Sequence, residues 1–108
     1  MNSQFKKGVL ELVVLIVVSK KEIYGYEIVK RVCEVVHVNE GTIYPLLKRL
    51  TNEKYVDTYL QESSEGPPRK YYQLTELGRL QMLDLKREWI AFSHQIQKFL
   101  EQGEQEYE

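Results

Sequence analysis

One amphipathic segment decides the fold, and it reads 41-GTIYPLLKRLTNEK-54. Apolar residues recur in it at spacings of three and four, which predicts a helix with one buried face: Ile43, Leu46, Leu47 and Leu50. The opposite face is polar and carries Pro45, Lys48, Arg49 and Asn52, flanked by Thr42 and Tyr44. Pro45 lacks a backbone N–H and fits best in a first turn, so we expect the helix to begin near Gly41 or Thr42. Asn39 is well suited to cap it.

Two further segments precede this helix. Residues 4–18 are apolar on nearly all sides from position 12, which is compatible with a buried helix or a buried strand. We favour the helix because of the elements that follow. The segment from Ile23 to Val36 opens with Tyr24-Gly25-Tyr26 and then shows helical spacing of apolar residues, so it predicts an amphipathic helix.

A β-hairpin is expected after the third helix. The stretches 55–60 and 69–75 are rich in Tyr, Val, Leu and Thr, and turn-forming residues occupy positions 62–68 between them. We therefore predict two short strands with a mobile tip. Because side chains alternate along a strand, Tyr71 and Tyr72 should lie on opposite faces of the hairpin.

The last helix carries the most regular pattern in the chain. Thr75 is a plausible cap, and six apolar residues then recur at spacings of three and four: Met82, Leu85, Trp89, Phe92, Ile96 and Phe99. A stripe of this length is best buried against a second copy of the chain. We accordingly divide the sequence into a main domain at residues 1–75, a dimerisation helix at 76–102 and an acidic tail at 103–108.

Composition bounds the function only weakly. The 108 residues suffice for one domain, and the net charge of -1 with a pI near 6.2 does not point to nucleic acid. The charge is unevenly distributed, however, with 11 basic and 9 acidic residues through Lys70 and 4 basic and 7 acidic residues after it. The sequence thus predicts a mildly basic body followed by an acidic C-terminal region.

Several classes of protein are disfavoured. Cys33 is the single cysteine, and no Cys/His spacing suggests a metal site, so we expect no metal or other cofactor and a reducing, cytoplasmic setting. The apolar run 12–18 is shorter than the roughly 20 residues of a membrane span. No nucleophile with an orienting base and no glycine-rich phosphate loop is recognisable, and we expect no enzyme.

The order of three helices, a hairpin and a final helix predicts a winged helix-turn-helix domain, whose third helix enters the major groove of DNA. On that interpretation Lys48 and Arg49 reach phosphates or guanine edges, and Pro45 touches a thymine methyl. Two alternatives remain open: a merely solvated helix face, and a winged helix that binds another protein. Cations on both the helix and the hairpin, where Arg69 and Lys70 stand, favour DNA.

Three blocks of this sequence resemble the PadR family of bacterial regulators: 24-YGYEI-28, 40-EGTIYPLLKRL-50 and 68-PRKYYQLTELG-78. The resemblance runs from about residue 8 to residue 80. It implies a homodimer formed through the C-terminal helix, an inverted-repeat operator in double-stranded DNA, and repression of transporter, stress or detoxification genes. By resemblance, the DNA-binding positions are Tyr24 in the second helix, Thr42, Tyr44, Pro45 and Lys48 in the recognition helix, and Arg69 and Lys70 in the wing.

Trp89 lies in the middle of the predicted dimer stripe. A two-fold dimer would bring Trp89 and its symmetry mate close together, and two flat rings can line a slot for a planar aromatic effector. Some short members of the PadR family are similar in using an interface tryptophan to recognise drugs. The alternative, that Trp89 simply packs the stripe, stays open and is the one that we favour.

Overall fold

Seven elements form the fold of the computed structural model, which describes the backbone of residues 3–107 and the side chains of residues 8–103. In chain order they are α1 (Ser3–Lys20), β1 (Ile23–Tyr24), α2 (Gly25–Val35), α3 (Glu40–Asn52), β2 (Val56–Ser63), β3 (Gly66–Leu74) and α4 (Glu76–Tyr107). The architecture is mainly helical with one small antiparallel sheet, which confirms the predicted fold class.

Residues 4–18 are helical, which confirms the helix that we favoured and excludes the alternative of a buried strand. Leu10, Val14, Leu15 and Val18 of α1 are almost completely buried. They can all be buried because α1 lies against α2, β3 and α4, which cover different sides of it. None of the helices within residues 3–107 has the length and hydropathy that crossing a membrane would require.

The second predicted helix begins two residues later than expected. Ile23 and Tyr24 form the short strand β1, which pairs antiparallel with Tyr72 and Tyr71 of β3. Pairing buries the branched side chain of Ile23, which is 2% exposed, and this gain outweighs one more helical half-turn. Gly25 then begins α2 at a point where a Cβ atom would lie 3.3 Å from the Tyr72 ring.

The predicted cap of α3 is confirmed, but the bounds of the helix differ by one or two residues. The Asn39 side chain accepts a hydrogen bond from the Gly41 N–H at 2.9 Å, and the helix begins at Glu40. Pro45 consequently lies in the second turn and leaves the Gly41 carbonyl without its usual donor. The helix ends at Asn52 because the chain reverses at Lys54, whose φ of 68° is left-handed.

The hairpin is longer and tighter than predicted. Strand β2 ends at Ser63 and strand β3 begins at Gly66. The tip expected at 62–68 is therefore reduced to Ser64 and Glu65. Sheet order is β1-β3-β2, and β1 pairs with β3 only at positions 71 and 72. Prolines 67 and 68 are tolerated in β3 because that part of the strand has one neighbour and an irregular register.

Helix α4 begins as predicted and extends further. The Thr75 hydroxyl accepts a hydrogen bond from the Gly78 N–H at 2.9 Å, which confirms Thr75 as the cap. The helix continues to Tyr107, so residues 103–107 belong to it and the separate tail expected at 103–108 is corrected, with Glu108 outside the described residues. Glu and Gln favour helix, and one glycine costs only about 1 kcal/mol relative to Ala.

Candidate nucleic-acid interface

The third helix presents the polar face that its sequence predicts. Ile43, Leu47 and Leu50 are fully buried, and the core that they enter is shared with α1 and α2. On the other side, four of the predicted DNA-binding residues are exposed, namely Thr42, Tyr44, Pro45 and Lys48. A helix held this firmly by its apolar face can present its outer face to a ligand without refolding.

A groove separates α3 from the start of α2 and from the wing, which is the hairpin β2–β3. Its volume is about 610 Å3, and it brings predicted residues from three elements together: Tyr24, Tyr44, Lys48 and Lys70. Two amine groups and several phenolic hydroxyls along one groove form a surface suited to a phosphate backbone. Lys70 is directed to this side of the sheet, with its Nζ 5.8 Å from the centroid of the Tyr72 ring.

Five lining residues of this groove were not among the predicted DNA contacts: Gly25, Tyr26, Thr51, Asn52 and Tyr72. Tyr26 is 56% exposed and follows Tyr24 by two positions, and Asn52 is one helical turn beyond Lys48 on the same face of α3. The spacing of four residues between Lys48 and Asn52 was the signal that could have identified Asn52. Tyr26 had no comparable signal, because its place depends on the short strand β1.

Arg69 and Lys70 lie on opposite faces of the sheet, as alternation requires. The Arg69 guanidinium is 5.0 Å from the centroid of the Tyr24 ring, and Tyr24 also packs against Tyr71 with 6.0 Å between centroids. Tyr59 stacks on Tyr71 at 5.7 Å. The outer face of the three-stranded sheet therefore carries a row of three tyrosines, Tyr59, Tyr71 and Tyr24, that ends at Arg69.

The same row is anchored at its far end. The Tyr59 hydroxyl donates a hydrogen bond of 2.6 Å to Oε2 of Glu22, and this bond holds the pKa of Tyr59 above its ordinary value. Tyr72 lies on the other face of β3 and is 6% exposed, and burial likewise raises the pKa of its phenol. The predicted division of Tyr71 and Tyr72 between faces is confirmed.

Arg49 does not line the groove with Lys48, and its expected contact with DNA stays a prediction. Its Nη1 donates to both carboxylate oxygens of Glu53 at 3.0 Å, and its Nη2 donates to Oε1 of Glu11. The hydrogen bond with Glu11 is the main cause that raises the pKa of Arg49. The physical reason is angular: one residue beyond Lys48 is about 100° further round the helix, on the side of α1.

The apolar stripe of α4 divides into two parts. Met82 and Leu85 are partly buried against the core of their own chain, and their predicted place in the dimer interface stays a prediction. Trp89, Phe92, Ile96 and Phe99 are 36%, 51%, 43% and 69% exposed. The helix that carries them has 32 residues and spans about 48 Å.

Trp89 stands at the boundary between these two parts. An apolar groove of about 360 Å3 lies here between α1 and α4, and its walls include Val9, Leu12, Leu85, Trp89 and Phe92. In a single chain, therefore, the predicted ligand-binding tryptophan already borders a cavity. A planar group of modest size fits such a volume.

Comparison with known proteins decides the class to which this arrangement belongs. The sequence model of the transcriptional regulator PadR-like family matches residues 14–84, which is more than half of the chain and includes both α3 and the wing. The chain belongs to the PadR-like family. It is a PadR-like transcriptional regulator with a DNA-binding winged-helix fold.

Solved structures of other regulators resemble this one closely. A PadR-like transcriptional regulator from Bacillus cereus is 41% identical with a TM-score of 0.81, and the match covers 91% of this chain and 97% of that one. A Streptococcus transcriptional regulator is 34% identical with a TM-score of 0.81, covering 91% and 98%. Bacillus subtilis PadR, solved in complex with operator DNA, is 29% identical with a TM-score of 0.63, covering 70% of this chain and 45% of that chain.

Proposed function

We propose that this PadR-like regulator is a ligand-responsive repressor that binds an inverted-repeat operator as a homodimer. It acts in the cytoplasm by occupying DNA rather than by catalysing a reaction. The observation that carries the proposal is the groove that is lined by both Lys48 of α3 and Lys70 of the wing. Support also comes from Bacillus subtilis PadR, whose structure contains operator DNA.

In this proposal the recognition helix α3 contacts both bases and phosphates, and the wing contacts phosphates. Thr42, Tyr44 and Pro45 on the exposed face of α3 read base edges in the major groove, since a helix fits there and short side chains reach those edges. Lys48 and Lys70 bind phosphates that run along the groove between α3 and the wing. Arg69, which lies over the Tyr24 ring on the outer face of the sheet, contacts the sugar-phosphate backbone farther along the DNA.

The exposed part of α4 joins the two copies. Four large apolar side chains project from the outer turns of this helix, with Ile90 and Leu100 beside them. An apolar patch of this kind is characteristic of an interface rather than of a solvated helix. A two-fold dimer built on it presents two recognition helices, which accounts for an inverted repeat with half-sites about 34 Å apart.

The groove beside Trp89 is the proposed effector site. It adjoins the dimer-forming part of α4, so an occupant would contact both the interface and α1. A planar aromatic ligand stacking on the indole would quench its fluorescence, and Trp89 is the single tryptophan of the chain. Titration with a planar cationic dye tests this directly. Quenching that saturates in the micromolar range is expected, and no quenching at high micromolar dye would refute the effector site.

Salt dependence tests DNA binding itself against the rival function of a protein-binding module. Affinity for a labelled duplex should fall steeply, by about 100-fold or more between 50 and 200 mM salt if each dimer contacts several phosphates. The double variant Lys48→Ala/Lys70→Ala should lose most of that dependence. A chain that ignores duplex DNA in dilute buffer would leave the protein-binding module as the better account.

A further inference from the structure

A carboxylate outside the DNA-facing surface links the recognition helix to the C-terminal helix. Glu11 lies on α1, and its side chain is 14% exposed. One of its oxygens accepts a hydrogen bond from Arg49 of α3, and the other accepts one of 3.1 Å from Nε2 of Gln81 on α4. A single carboxylate therefore connects three helices.

This link joins α3 to α1 and α4, two helices with which its backbone makes no extensive contact. The backbone of α3 lies close to α2 and β2, whereas α1 lies close to α2, β3 and α4. Gln81 belongs to the same face of α4 as Leu85, four residues further on, and Leu85 packs against the core. The Glu11 contacts thus connect α3 to the helix on which the exposed apolar stripe lies.

We propose that Glu11 is a positioning residue that sets the spacing between the two recognition helices of the dimer. The inference rests on the proposed function, because it requires a dimer joined through α4. The pair is only partly shielded from solvent, with the Glu11 side chain 14% and the Arg49 side chain 46% exposed, so we assign it an effect on the direction of α3 and not on overall stability. One base pair changes the separation of the half-sites by about 3.4 Å. A small tilt of α3 moves the recognition helix by a comparable distance, so the dimer would then bind operators of more than one spacing.

The experiment compares operators of different spacing. The duplex is one selected by the wild-type protein from a random pool, and two derivatives have one base pair inserted or deleted at the centre. Wild-type protein should bind the derivatives at least about tenfold more weakly than the selected duplex. Glu11→Gln removes the charge and keeps the shape, and its preference should fall to about threefold or less.

Glu53→Gln is the matched control. It removes a carboxylate that also binds Arg49, but Glu53 and Arg49 lie within one helical turn of each other and do not connect α3 to another helix. The spacing preference of Glu53→Gln should equal that of the wild type. Gln81→Leu removes the other half of the link and should behave like Glu11→Gln, which guards against an effect of misfolding at one position. Melting temperature and sedimentation confirm that each variant is folded and dimeric.

Two results would overturn the inference. Glu11→Gln with the full spacing preference would show that Glu11 does not position α3. Arg49→Ala with a salt slope reduced by about 0.9 for each of the two subunits would show that Arg49 binds a phosphate instead of Glu11. Wild-type protein that binds no duplex at low salt would instead refute the proposed function, so the two failures are distinguishable.

Discussion

The guanidinium of Arg69 lies over the ring of Tyr24, with 5.0 Å between its central carbon and the ring centroid. The contact joins β3 to the residue that precedes α2. Tyr71 packs against Tyr24 from the neighbouring strand, with 6.0 Å between centroids. Arg69 therefore has a defined direction on an otherwise exposed strand, which lowers the entropy lost when it binds a phosphate.

Replacement of Tyr24 tests whether its ring orients Arg69. Tyr24→Leu should weaken DNA binding by about two- to fivefold, which corresponds to the loss of an exposed cation–π contact. Tyr24→Phe keeps the ring and should bind nearly as tightly as the wild type. Fluorescence anisotropy with a labelled operator measures both. Equal losses for the two variants would mean that the hydroxyl, and not the ring, is what matters.

Lys48→Ala should lower the affinity for operator and for non-specific DNA by similar factors, because phosphate contacts carry no sequence information. The slope of log affinity against log salt should decrease by about 0.9 per lost contact. Lys86→Ala removes an exposed lysine of α4 and serves as the control. A loss confined to one base position of the operator would contradict a phosphate role for Lys48.

Trp89→Ala should weaken dimerisation, raising the dissociation constant by about tenfold or more, since large aromatic residues dominate interfaces. Analytical ultracentrifugation over a range of concentrations measures the change. Lys98→Ala removes an exposed charge from the same helix outside the apolar stripe and should leave the dimer unchanged. An unaltered dimer in Trp89→Ala would place this residue outside the interface.

Local periodicity was enough to predict α2, α3, α4 and the exposed face of α3, whereas α1 was predicted only from the elements that follow it. Ile43, Leu47 and Leu50 repeat at helical spacing, and all three are buried. Asn39 and Thr75 could be predicted as caps because a cap acts within three residues of itself. Helical spacing and caps can be predicted because the residues that produce them are close together in sequence.

Features that depend on distant residues could not be predicted. The ion pair of Arg49 could not be predicted, because its partner Glu11 is 38 residues away in sequence. Strand β1 has only two residues and exists because β3 pairs with it. The row of Tyr24, Tyr71 and Tyr59 follows from the register of the sheet, which no local pattern specifies.

Gly78 should be indispensable for stability. A Cβ atom at this position would overlap the Tyr55 carbonyl oxygen, which is backbone and cannot easily move. Gly78→Ala should therefore lower the free energy of unfolding by about 3 kcal/mol. Gly103→Ala adds the same methyl group where nothing lies within 4 Å, and it should stabilise α4 by about 0.5–1 kcal/mol. Urea denaturation compares them, and equal stability of the two variants would disprove the steric argument.

The most direct test of the whole account is the stoichiometry of the DNA complex. Sedimentation of the protein with a labelled duplex that carries an inverted repeat, in about 50 mM salt, reports how many chains bind each duplex. Two chains per duplex, with a dimer already present before DNA is added, is the predicted result. A protein that remains monomeric at micromolar concentration and does not sediment with the duplex would contradict the central claim.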